Sequence, residues 1–145
     1  MDSLFASQKA KGCSSFYVFK ENRQEGLHLA VKGDRDELQL SEMAQVFDLK
    51  TADLTVELLK FEGEIGQYAC DDVVGDEGTV EQTWVAAEGQ ATLQILEDSI
   101  SVQSWETTYR LQVKLKNIRL TAENKDDVRI DEVLFEDVYV GWLPG

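Results

Sequence analysis

The chain reads as all-β, an antiparallel β-sandwich or partly open barrel of about eight to ten short strands. Three observations carry this expectation. Apolar and polar residues alternate with period two through the C-terminal half, Gly, Asn and Asp clusters interrupt the alternation at intervals, and Pro144 is the single proline. Nothing in the composition divides the chain, so 1–145 is read as one β-sandwich domain, with 1–13 polar enough to serve as a flexible leader.

Taken in order, the first strand signals are Phe16 and Val18 interleaved with Tyr17 and Phe19, then Leu27, Leu29 and Val31, then Leu38 and Leu40. Turn-forming residues at 22–26, 33–36, 71–78 and 124–127 separate such runs. The stretch from Glu42 to Phe61 carries two periods at once. Ser41 can cap a short helix over 41–49 whose stripe is Met43, Val46 and Phe47, while β-branched Thr55 and Val56 favour a strand from about Leu54. Further on, Ala91, Leu93 and Ile95 share one parity. The clearest strand is 109–115, where Tyr109, Leu111, Val113 and Leu115 face one way and Arg110, Gln112, Lys114 and Lys116 the other. The apolar parity then switches to Ile118 and Leu120, which requires a bulge or a turn at Lys116 and Asn117. Val133 with Phe135, and Val138 with Val140 and Trp142, complete the series.

A net charge of −14 argues against nucleic acid, whose binding depends on neutralising phosphates, and against anionic membrane surfaces. No apolar run approaches the roughly 18 residues that span a bilayer as a helix. The charge is unevenly spread: between Lys60 and Arg110 there is no Lys, Arg or His, yet there are eleven carboxylates. Like charges confined within a Debye length of about 8 Å oppose folding unless the rest of the chain, a cation or a partner compensates. Glu62, Glu64, Glu81 and Glu88 are therefore candidate contacts for a basic protein partner, with Trp142, beside Gly141, as an aromatic anchor. Arg110, Lys114 and Lys116 form a basic stripe that can pair with carboxylates on neighbouring strands.

Cys13 and Cys70 are the only cysteines, which leaves two readings open. A disulfide between them would close a long loop, worth roughly 4 kcal/mol in the chain-entropy account; the alternative is a pair of reduced, buried thiols in a cytosolic protein. Cys13 also follows a polar leader as a lipid-anchored cysteine does, although Lys11 suits a lipidation site poorly. The N-terminal residues lack the apolar run of a secretion signal, so a periplasmic or envelope location requires removal of an upstream signal, and a cytoplasmic one follows otherwise. The loop CDDVVGDEG places Asp71, Asp72, Asp76 and Glu77 among glycines, the oxygen-rich composition that calcium prefers, but without the alternate spacing of an EF-hand. No other cofactor is suggested. His28, the sole histidine, lies between Leu27 and Leu29 and suits a structural role; no nucleophile elbow, phosphate-cradling glycine loop or Ser-His-Asp set accompanies it, so no enzymatic activity is expected.

The stretches LTVELLKFEGEIGQYAC, GQATLQI, YRLQVKLKNIRL and FEDVYVGW resemble those of small bacterial envelope β-sandwich domains of the lipoprotein-attached kind. That resemblance implies an all-β fold and an extracytoplasmic life, and it assigns no functional residue. The expected function is a non-enzymatic binding or accessory module of a bacterial cell envelope; the alternative is an acidic inhibitor or immunity-type protein that docks on a basic partner. If the acidic loop is only solvated, millimolar calcium and excess chelator leave the melting temperature unchanged, whereas a rise of several degrees with calcium alone establishes a bound cation.

Overall fold

Eight strands form one antiparallel sheet in the computed structural model, which describes residues 2–66, 68–70, 77–100 and 107–141. They are β1 (Lys11–Cys13), β2 (Tyr17–Asn22), β3 (Leu27–Lys32), β4 (Gln45–Asp48), β5 (Thr55–Gly66), β6 (Glu77–Ile100), β7 (Thr107–Ala122) and β8 (Lys125–Val140). The sheet order is β1-β2-β3-β5-β6-β7-β8, and β4 pairs with β6 off this path. One buried cluster draws on β2, β3, β5, β6, β7 and β8, so the sheet curls around a single core as a partly open barrel. No helix among the described residues is long and apolar enough to cross a membrane.

The strands are longer than the short ones expected, because several breaks in the sequence pattern are bulges. β6 runs for 24 residues and β7 and β8 for 16 each. The parity switch after Leu115 is such a bulge: Lys116 pairs with Gln90 and Arg119 with Glu88, so two residues of β7 oppose Gly89 alone. Asn117 takes φ 54° there, and Gly89 takes φ 138°. A Cβ on Gly89 would stand 2.5 Å from Ile118 Cδ1, which leaves glycine as the residue that fits. A second bulge lies between Phe135 and Val138, with Asp137 at φ 53°, and it joins the last two sequence runs into one strand.

The helix expected over 41–49 does not form. Its residues supply β4, whose Phe47 packs on the core while Val46 projects into solvent, a period of two rather than 3.6. Ser41 does cap locally, but its Oγ accepts from the Met43 N–H at 3.2 Å, two residues on, and closes a turn. The one α-helical turn among the described residues lies earlier, at α1 (Arg35–Leu38), where the sequence carries strand signals from Leu38 and Leu40. Asp34 starts it by accepting from the N–H groups of Asp36 and Glu37 at 2.9 and 3.0 Å, and Gln39 ends it in the left-handed region.

The two ends of the sheet meet without a shared ladder. Gly12 of β1 lies so close to Val138 and Val140 that a Cβ there would approach their methyl carbons to 2.8 and 2.5 Å, and Gly141 N–H donates to the Ser14 carbonyl at 2.7 Å. Residues 1–13 are therefore no flexible leader, at least from Asp2 onward. A 3-10 turn, Asp2–Leu4, sets Phe5 into the core at 0% exposure, and the Asp2 carboxylate accepts from the N–H groups of Asp131 and Glu132 at 3.0 and 2.9 Å. These bonds satisfy part of the free edge of β8. Replacing Phe5 with Ala should cost on the order of 3–5 kcal/mol in urea unfolding, as for a filled core position; a loss below about 1 kcal/mol would mean that the N-terminal segment is dispensable to the fold.

Candidate functional site

Three regions of the barrel carry the candidate residues. The first is a second buried layer on the outer face of β2, β3 and β5. His28, Ala30 and Phe19 have outward parity yet are buried, and Tyr68, beyond β5, packs against His28. Leu59, Phe61, Ile65 and Val80 form its apolar base, and Tyr68 stands edge-on to Phe61 and His28 at 5.0 and 5.3 Å between ring centroids. A disulfide joins Cys13 of β1 to Cys70, with 5.7 Å between the Cα atoms, and thereby ties the returning chain down across β2 and β3. Arg23 helps, donating to the Gly66 carbonyl at 2.9 Å and pairing with Glu21 at 3.2 Å.

His28 is 0% exposed and both ring nitrogens are engaged. Nδ1 lies 2.8 Å from Glu21 Oε2 and Nε2 lies 2.9 Å from the Tyr17 hydroxyl. An ionised carboxylate can only accept, so Nδ1 donates to Glu21, while the Tyr17 hydroxyl, which can donate or accept, completes the ring's hydrogen bonding at Nε2. Burial pushes the Tyr17 phenol well above its ordinary range, and Tyr68, Glu57 and Glu21 push it further the same way. Phe19 stacks on the imidazole at 4.7 Å. The constellation holds a histidine in one orientation inside an apolar layer, with no open space against its nitrogens.

The second region is the acidic one. Glu62 and Glu64 are exposed at the far end of β5, and Glu81 is the extra, exposed residue of a bulge where β6 passes Phe61. None of the three has an ion-pair partner among the described residues. Glu88 is different: it lies seven residues farther along β6 and is held within the chain. Arg119 Nε donates to its Oε1 at 2.9 Å, and Lys50 Nζ lies 3.6 Å from Oε2. The basic stripe of β7 is largely consumed by β8. Arg110 pairs with Asp137, Lys114 with Glu132 at 3.1 Å, and Arg119, which lies beyond the parity switch, with Asp127 at 3.3 Å as well as with Glu88. Asp71, Asp72, Asp76 and Trp142 lie outside the described residues, and Glu77 is described only as the first backbone position of β6. Among the described residues no group of three His, Cys, Asp or Glu side chains is arranged to hold a metal ion.

The third region, the seam between the N-terminal segment and β8, was not singled out from the sequence. Lys20 points inward there with the parity of Phe16 and Val18, opposite Leu29, and is only 6% exposed. Its Nζ donates to the Phe5 carbonyl at 3.2 Å and lies 5.9 Å from the Phe135 ring centroid. Burial lowers the Lys20 pKa, and Glu136 opposes that shift. The available signal was a charged residue at an inward position of a strand whose other inward residues are apolar.

No protein-family model matches the chain, and no curated protein or solved structure shows significant similarity to it.

The hydrogen bond and charge of Arg119, assisted by Lys50, hold the Glu88 carboxyl below its usual range. A folded-state pKa lowered in this way contributes stability that is complete above the unfolded carboxylate value and is lost as pH falls through the folded one. In a carbon-detected NMR titration the Glu88 midpoint should lie below about 4.3 and return towards that value in Arg119→Ala; equal midpoints in the two proteins would remove this pair from the acid-stability account.

Proposed function

We propose that the chain is a non-enzymatic binding or accessory module of a bacterial cell envelope. The observation that supports it most is the Cys13–Cys70 disulfide, because bonds of this kind persist in oxidising compartments and are rare where glutathione keeps thiols reduced. The bridge is integral to the fold: Cys13 is 4% exposed, and the linkage pins the cover over the His28 layer. The resemblance of the strand sequences to envelope β-sandwich domains points the same way.

The exposed carboxylates Glu62, Glu64 and Glu81 favour a second reading, an acidic inhibitor that docks on a basic protein. Such a surface accelerates encounter with a cationic partner and repels acidic competitors. Its association rate should drop steeply as salt is raised, whereas a rate independent of salt would leave this reading without its electrostatic basis.

The envelope reading is tested by alkylating the protein in its native cells at lysis, without reductant, and measuring the intact mass. The expected product is unalkylated and bridged, and reduction of the purified protein should lower its unfolding free energy by about 4 kcal/mol. Two alkylated cysteines in the unreduced cell sample would place the chain in a reducing compartment and move the inhibitor reading forward.

A further inference from the structure

The seam that closes the barrel leaves a cleft of about 670 Å³ between the N-terminal segment and the edge of β8. Ala6, Ala10, Val133 and Leu134 give it an apolar lining, Lys20 faces it, and Lys9 stands on its rim. Lys20 is anomalous. An ammonium has three N–H donors, and among the described residues only the Phe5 carbonyl accepts from this one. Among the described residues no carboxylate lies within ion-pair distance of it, and Glu136 acts on it only from farther off, although buried lysines are almost never left without a close counter-ion. The Phe135 ring, 5.9 Å away, stands at the outer limit of cation–π reach.

The surrounding charges sharpen the anomaly. Three carboxylates line the cleft, but Glu132 is paired with Lys114 and Asp137 with Arg110. That leaves Glu136 against Lys9 and Lys20, a local excess of one positive charge in a chain whose net charge is −14. The first 24 residues repeat the asymmetry, with Lys9, Lys11, Lys20 and Arg23 against Asp2 and Glu21. An anion entering this cleft would meet the open donors of Lys20 with apolar carbon on either side. A monoanion matches the excess; a dianionic phosphate would overcompensate it and bring a more strongly hydrated head into an apolar lining.

We propose that the seam cleft binds an aliphatic monocarboxylate, whose head accepts from the free N–H donors of Lys20 and whose tail lies along Ala6, Ala10, Val133 and Leu134. Small-molecule sites commonly have this make-up, mostly apolar walls with a few fixed polar groups that set orientation. The proposal goes beyond the envelope reading and is independent of the Glu62–Glu64–Glu81 face and of the disulfide.

The test uses the oxidised full chain and octanoate as probe, with octanol, which has the tail without the charge, and acetate, which has the charge without the tail. Calorimetry should show saturable octanoate binding at or below about 1 mM, with octanol and acetate each weaker by about tenfold or more. Lys20→Met should lose about tenfold or more in octanoate affinity, while Lys125→Gln, at the first position of β8, should bind as the parent does. Octanoate should also shift the Lys20 Nζ resonance of the unmutated protein and raise its titration midpoint, since a bound carboxylate favours the charged amine; this readout does not depend on the folding of the variant. Undiminished octanoate affinity in a folded Lys20→Met protein, binding of octanol as tight as that of octanoate, or an unmoved Lys20 resonance at saturation would overturn the site.

Discussion

The closure of the sheet is the constraint on which the rest of this structure depends. A curled antiparallel sheet whose first and last strands share no ladder keeps two free edges, and the apolar interior between them must still be sealed. Here a three-residue β1 meets β8 only near Val138 and Val140, at a contact close enough to require Gly12. The remaining edge of β8 is sealed by the residues ahead of β1: Phe5 fills the core, Asp2 takes two edge N–H groups, and Asn22 donates to the Leu4 carbonyl at 2.9 Å. Sealing the edge with an irregular segment, in place of a ninth strand, leaves the open space beside Lys20. The candidate ligand site is thus a by-product of how the barrel closes.

A second constraint acts on the opposite surface. In an antiparallel sheet with one wet face, outward residues are polar, and the outward residues of β2 and β3 include Tyr17, Phe19, His28 and Ala30. They are too apolar to stand in water together, and Tyr68, on the chain that returns after β5, packs on His28 at their centre. The Cys13–Cys70 bridge and Arg23 restrain that return at separate points. Glu21 belongs to both arrangements, accepting from His28 and from Arg23, so the orientation of the buried imidazole is coupled to the anchoring of its cover.

The legibility of these features in the sequence follows from their range. Alternation along β7 and β8 is a local property, and the strands, their inward residues and the parity switch at Asn117 could all be read directly. Whether a parity switch is a turn or a bulge depends on the neighbouring strand, and for that reason the long strands were read as several short ones. The helix expected over 41–49 failed because pairing with β6 overrode a short helical stripe of marginal length. Phe5, in a polar context, gave no periodic signal, since the contact that buries it is made with strands distant in the chain. His28 suits a structural role from its place between Leu27 and Leu29, but the rings of Phe19, Phe61 and Tyr68 that surround it, and Tyr17 and Glu21, which fix its orientation, come from other parts of the chain. Lys20 was legible in principle from its inward parity, although only the closed seam shows that no carboxylate among the described residues comes within ion-pair distance of it.

The distribution of charge follows from the same architecture. β7 carries the basic stripe, and its cations are spent mainly on β8 and on Glu88, so few remain to offset the other carboxylates of the segment between Lys60 and Arg110. Glu62, Glu64 and Glu81 consequently keep their field in solvent. The lysines that line the seam cleft, Lys9 and Lys20, lie just before β1 and on β2, at the opposite end of the sheet order from β7. Pairing them with the acidic segment would require strands that are not neighbours to become so. The topology therefore keeps the exposed carboxylates at the far end of β5 apart from the lysines of the seam, so the field of the one is not cancelled by the charge of the other.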